Sequence, residues 1–187
     1  MSRRMAIALL HYPVLDRHGE LFTTTLTNLD LHDMSRSART YGAKAFFIVH
    51  PLASQRLIAE RMVGHWRQGP GGKRIPDRAE ALRITRVVPA VEAALEGLGE
   101  EAEIWTTAAR PGLTAETSWS EARTLARGAG PPILLCFGTG WGLSTPFLEA
   151  ATRHLAPIDG AGTDYNHLSV RAACAIACDR IWGPTRD

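Results

Sequence analysis

The chain lacks any long apolar run. No stretch approaches the roughly 20 apolar residues needed to cross a bilayer, and the apolar start Met5 to Leu10 is too short for a signal peptide. Cysteine is scarce: Cys136, Cys174 and Cys178 fit neither a zinc-ligand spacing nor a disulfide framework. Cys174 and Cys178 stand four apart on one face of an expected helix, which suits buried free thiols in a reducing cytoplasm. The seven histidines show no HExxH and no paired ligand spacing, so no metal site is expected. No GxSxG elbow is present, which argues against a Ser-His-Asp hydrolase. Lysine is almost missing: of 21 basic residues only Lys44 and Lys73 are lysines.

What is present fits one compact α/β domain over residues 1–187. The chain is 45% hydrophobic and 21% charged, ordinary for a globular protein with a real core. Its net charge of +2 hides an asymmetry. Residues 1–90 carry 14 Lys+Arg against 7 Asp+Glu, whereas residues 91–187 carry 7 against 12. An arginine-rich half suits forked contacts with phosphate, and so an anionic partner such as RNA. An unevenly charged solvated surface explains it equally well.

Apolar patterning predicts strands at Met5 to Leu10, Ala43 to His50, Arg86 to Val88, Glu103 to Thr107 and Pro132 to Phe137, the last clear one. Helices are expected at Leu31 to Tyr41, ended by Gly42, at Leu52 to Gln68, near Arg78 to Ile84, and from about Pro89 to Leu98. Another is expected over Ser118 to Arg127, with Ser118 or Ser120 as N-cap, and a final one opens at Asn166 to Ala173. Gly69 to Pro76 reads as a flexible basic loop. The alternation implies a mostly parallel sheet covered on both faces. Ligands of such sheets sit beyond the carboxyl ends of strands. Three segments qualify: Thr107 to Pro111, Gly138 to Gly142, and the turns from Pro157 to Asn166.

The loop Gly138-Thr139-Gly140-Trp141-Gly142 has no following Lys-Ser or Lys-Thr, so it is not a Walker loop. It does not follow the first strand, and no acidic residue ends a second strand, which argues against a Rossmann dinucleotide site. A tight turn is its plain structural explanation. The ending Asn166-His167-Leu168-Ser169-Val170-Arg171-Ala172-Ala173, preceded by Pro157-Ile158, resembles the carboxyl end of SPOUT methyltransferases. Phe137 to Gly142 resembles that family's central glycine loop, and Thr106-Thr107-Ala108-Ala109-Arg110 its earlier cofactor-side loop. Thr27 to Gly42 resembles the SpoU-type first motif, in which an Asn and an Arg precede an Ala-rich helix ending in Gly. Asn28-Leu29-Asp30 departs from the usual Asn-x-Gly-Asn arrangement, and His167 and Arg171 are added polar groups.

The resemblance, closest to stand-alone bacterial members, implies a deep trefoil knot over about residues 133–183 and a homodimer. It implies S-adenosylmethionine (SAM) held by Thr106, Thr107 and Ala108, by Phe137, Gly138, Thr139, Gly140, Trp141 and Gly142, by Pro157 and Ile158, and by Asn166, His167, Leu168 and Ser169. Phe137, Trp141, Ile158 and Leu168 would wall the cofactor. Arg36, Asn28 (with Asp30 as its alternate) and Ser169 would serve methyl transfer to an RNA, either tRNA or rRNA, with no metal. A non-catalytic SAM- or RNA-binding knot protein is the second reading, and a nucleotide-binding enzyme without methyl chemistry the third.

Overall fold

In the computed structural model, residues 2–99, 101–109, 116–162 and 165–184 are described. The central sheet runs β5 (Thr85–Val88), β4 (Ala45–Val49), β1 (Met5–Leu10), β8 (Ile133–Gly138), β6 (Glu103–Thr106), β9 (Arg153–Leu155), β7 (Glu116–Thr117). Every neighbouring pair is parallel. A small antiparallel hairpin, β2 (Val14–Leu15) and β3 (Leu21–Phe22), stands apart from it. Because side chains alternate along a strand, β1 sends Met5, Ile7 and Leu9 into one core and Ala6, Ala8 and Leu10 into the other. The first core is covered by α1 (Asn28–Thr40), α2 (Ala53–Arg67), α4 (Pro76–Leu82), α6 (Trp119–Arg127) and α8 (Val170–Trp182). The second is covered by α5 (Val91–Glu96) and α7 (Thr145–Glu149).

The helix starts follow from local chemistry. Thr27 accepts from the Asp30 amide and Ser118 from that of Glu121, so α1 begins three residues before Leu31 and α6 directly after Ser118. Ser169 caps α8 in the same way, and the chain leaves that helix at Gly183. Gly42, at φ 81°, follows the end of α1 in the left-handed conformation that stops a helix.

Two expectations need correction. The segment expected as a flexible basic loop holds a short helix, α3 (Pro70–Arg74), followed at once by α4. Pro70 and Pro76 take opening helical positions, where a missing N–H costs nothing. A Cβ on Gly72 would run into the Trp66 carbonyl oxygen, so close packing, not flexibility, explains that glycine. Pro132 to Phe137 is not the last strand either: β9 follows it, too short and too polar (Arg-His-Leu) to announce itself. No helix of the described residues is long and apolar enough to cross a membrane.

Candidate functional site

Strands β1, β8, β6 and β9 are neighbours, so the loops that follow them gather along one carboxyl edge. Thr106 is buried; its hydroxyl lies 2.8 Å from His154 Nδ1 on β9. Thr107 donates its hydroxyl and its amide to the Cys136 carbonyl, pinning this loop to β8. Pro157 accepts from the Trp119 indole N–H, which fixes the turn after β9 to α6. Near Gly160 the chain doubles back to within van der Waals range of Asn166.

The glycine loop is strapped by the hairpin. Trp141 donates its amide to the Leu15 carbonyl, Leu15 donates to that of Gly142, and Val14 bridges to Leu143. A Cβ on Gly140 would sit 2.9 Å from the Leu15 carbonyl oxygen, and one on Gly138 2.8 Å from Leu143. Two of the three glycines are therefore small because the chain itself comes close, not because a ligand does. Gly142, at φ 108°, has open space where a Cβ would stand.

Beneath the strap, the residues next after β1 and β4 are histidines, and their rings stack with centroids 5.0 Å apart. His11 Nδ1 lies 2.8 Å from the Thr24 hydroxyl, which in turn meets the Thr139 hydroxyl of the glycine loop. His50 Nε2 donates to the Thr24 carbonyl and its Nδ1 accepts from the Leu52 amide. Burial, with His50 alongside, lowers the pKa of His11 to about 4, and burial lowers that of His50. Both rings are neutral at physiological pH.

The second part of the site lies between one side of α1, from Asp30 to its last turn, and the first turns of α8. Buried Asp30 receives the Thr27 hydroxyl on one oxygen and Arg171 Nη1, at 2.6 Å, on the other. Arg171 Nε is 3.7 Å from Asp33, and Arg36 approaches the other Asp33 oxygen at 3.9 Å. Charges thus alternate Asp30, Arg171, Asp33, Arg36 across two helices. The last three border a groove of about 490 Å³ in which Arg36, Ser37 and Thr40 of α1 face Ser169, Arg171 and Ala172. A smaller cavity of about 430 Å³, lined by Glu116, Glu121, Thr152 and Arg153 among others, lies towards the amino ends of β7 and β9.

Of the expected residues, the structure brings Arg36 and Ser169 to one groove and places Thr106, Thr107, Ala108, Pro157 and Ile158 on adjoining strand-end loops. Asn166, His167 and Leu168 are exposed just before α8, and Asn28 is exposed at the start of α1. Trp141 is 56% exposed and available as a wall, as is Leu168. Phe137 is not: its side chain is 1% exposed and belongs to the core. Arg110 and Pro111 of the earlier loop lie outside the described residues. Sequence reasoning missed His11, His50 and Thr24; the available signal was a histidine directly after each of two apolar strands. Among the described residues no group of three His, Cys, Asp or Glu side chains is placed to hold a metal ion.

Several known proteins resemble this chain in sequence or in fold. A tRNA (guanine-N(1)-)-methyltransferase of Nitratidesulfovibrio vulgaris is 41% identical over 189 residues, covering 97% of this chain; the chain spans 43% of that relative's length. An uncharacterized protein of Aquifex aeolicus is 34% identical over 191 residues, covering 100% of this chain and 92% of its own. The fold is that of a putative methylase family protein from Neisseria gonorrhoeae, with a TM-score of 0.65 at 18% identity, covering 98% of this chain and 83% of that one. Residues 4–183 match the family described as SAM-dependent RNA methyltransferase, and the chain belongs to that family.

Proposed function

We propose that the protein transfers a methyl group from SAM to a tRNA, with the cofactor on the strand-end loops and the acceptor entering the groove beside Arg36. The observation that carries this is the meeting of Arg36 and Ser169, from opposite ends of the sequence, in one groove at the head of α8. The cofactor's chemistry suits the residues present. Exposed Trp141 and Leu168 and half-buried Ile158 offer flat apolar contact for an adenine, Gly142 leaves room for close approach, and Asn166 and Ser169 offer polar ends. SAM, when bound, supplies an activated methyl group. The chain's part is to hold and orient the acceptor and to exclude water. Arg36, the outermost charge of the alternating series, is free to exchange its long contact with Asp33 for the acceptor. Asn28 or Asp30 assists it.

tRNA is proposed because the Nitratidesulfovibrio relative bears that name; its guanine specificity belongs to a protein more than twice as long. α1 lies between α4 and α8, so the basic α2–α4 face leads directly to the groove. There Arg61, Arg67, Lys73 and Arg74 are exposed and form no ion pair among the described residues. We read the chain as one methyltransferase unit, knotted between about residues 133 and 183. Supporting this, the β6–β8 connection through α6 and the return to α8 cover one sheet face, while α7 carries β8 to β9 across the other. A homodimer, with the exposed Leu21 and Phe22 of the hairpin as apolar surface, and a cytoplasmic location complete the reading.

Calorimetric titration with SAM and its demethylated product, with ATP and NAD as controls, tests it. Selective binding of the sulfur compounds, weakened in Trp141→Ala, is expected. Arg36→Ala retains SAM affinity and loses methylation of bulk tRNA. Binding of ATP or NAD instead would overturn the proposal, and SAM binding without transfer to any RNA would leave a non-catalytic binder.

A further inference from the structure

The hydroxyls and rings under the strap admit only one arrangement of protons in which every observed contact is a hydrogen bond. The Leu10 carbonyl can only accept, and Thr139 Oγ lies 3.1 Å from it, so Thr139 donates there. Its single proton is then used, and the Thr24–Thr139 contact requires Thr24 to be the donor. With that proton also committed, the Thr24 oxygen accepts from His11, and His11 must carry its proton on Nδ1. The result is a one-way chain: His11 Nδ1–H to Thr24, Thr24 to Thr139, Thr139 to the end of β1. It joins the loop after β1, the strap and the glycine loop after β8 in one line of donors.

The histidine end of this line is closed to solvent, while Thr24 and Thr139 are half-buried. His11 is 0% exposed, its ring is stacked on His50, and its pKa of about 4 keeps it neutral. His50 is fixed as the Nε2–H tautomer by the Thr24 carbonyl, so Thr24 is held by both histidines. Where each donor has one partner, the rotamer of Thr139 has one choice, and with it the entry of the glycine loop. His11 Nε2 meets no partner among the described residues, so Nδ1 carries the ring's side-chain hydrogen bond.

We propose that His11 is a positioning residue for the cofactor loop, acting through Nδ1–H, Thr24 and Thr139 to set Gly138–Gly142 before SAM arrives. The inference rests on the SAM reading above and adds that the loop's affinity is set from beneath, by a side chain that never touches the cofactor. It accounts for a buried histidine pair that neither packing nor the transfer step requires.

The wild type and the variants His11→Asn, His11→Leu, Thr24→Val and Thr139→Val are titrated with SAM, with thermal unfolding run alongside. Thr24→Val, Thr139→Val and His11→Leu are each expected to weaken SAM binding by about tenfold, the loss of one well-made hydrogen bond. His11→Asn, whose amide N–H stands where Nδ1–H does, is expected to stay within about threefold of wild type on the same scale. Should His11→Leu fail to fold, the threonine variants, which keep side-chain shape, and ¹⁵N NMR of the His11 ring decide. An Nδ1–H tautomer is expected. An Nε2–H tautomer, His11→Asn as weak as His11→Leu, or threonine variants that lose stability but not affinity would overturn the inference alone. A wild type that binds no SAM would overturn the functional reading and this inference with it.

Discussion

With its ring stacked on His50 and its pKa held at about 4, His11 makes the fold acid-sensitive in a definite window. The unfolded chain protonates histidine near 6.5, so between pH 6.5 and 4 the unfolded state binds the extra proton and stability falls as pH falls. Integrated over that shift, the loss is about 3 kcal/mol. Burial lowers His32, His50 and His154 too, which adds in the same direction. The melting temperature is expected to drop on acidification from pH 6.5 to 4.5, and to drop less in His11→Asn; a flat profile in the wild type would sink the assignment. Asp30 gives a second test at this scale. Removing the Arg171 head group leaves a buried carboxylate with only Thr27 and the helix start for partners, which costs about 1–3 kcal/mol, the partner being a third exposed. Urea unfolding of Arg171→Met would show that loss, and an unchanged midpoint would mean that solvent replaces the arginine fully. Arg171 could be noted in the sequence as an added polar group, but not its partner, which stands 141 positions away.

Elements were more legible than their contacts. Among the described residues, six of the eight helices and five of the seven sheet strands announce themselves through apolar periodicity and caps, because each buries a face large enough to leave a pattern. What did not announce itself was short or bound by shape: the two-residue strands, β9, α3 and α7. A stretch reading Gly-Pro-Gly-Gly-Lys-Arg looks flexible because glycine usually marks freedom, yet these glycines sit against His65 and Trp66. Two glycine substitutions separate these roles. Gly72→Ala drives a methyl into the Trp66 carbonyl and is expected to cost about 1–3 kcal/mol. Gly64→Ala, inside α2 with nothing within 4 Å of the new methyl, is expected to stabilise by about 0.5–1 kcal/mol through helix propensity. Equal melting temperatures for the two variants would show that α3 does not press on α2.

Across the whole molecule, charge is sorted as the groove requires. The basic amino-terminal half supplies α1 to α4, α4 meets α1 through the Arg39–Glu80 pair and α3 packs on α4, so the helices that carry Lys73, Arg74 and Arg36 adjoin one another. The acidic carboxyl-terminal half holds the loops proposed for the cofactor, where little phosphate contact is wanted. This sorting was readable from composition; the site was not, because the groove exists only once β8 lies beside β1 and brings α8 against α1. If the α2–α4 face carries the RNA backbone, binding must weaken with salt, since each neutralised phosphate releases counterions. Lys73→Gln with Arg74→Gln removes two such contacts. The slope of log affinity against log salt for bulk tRNA should become shallower by about 1.4, and affinity should fall most at low salt. SAM affinity, which the proposed function assigns to the strand-end loops, should not move. An unchanged slope would place the RNA on another face, and a loss of SAM binding would mean that α3 supports the fold instead of meeting RNA.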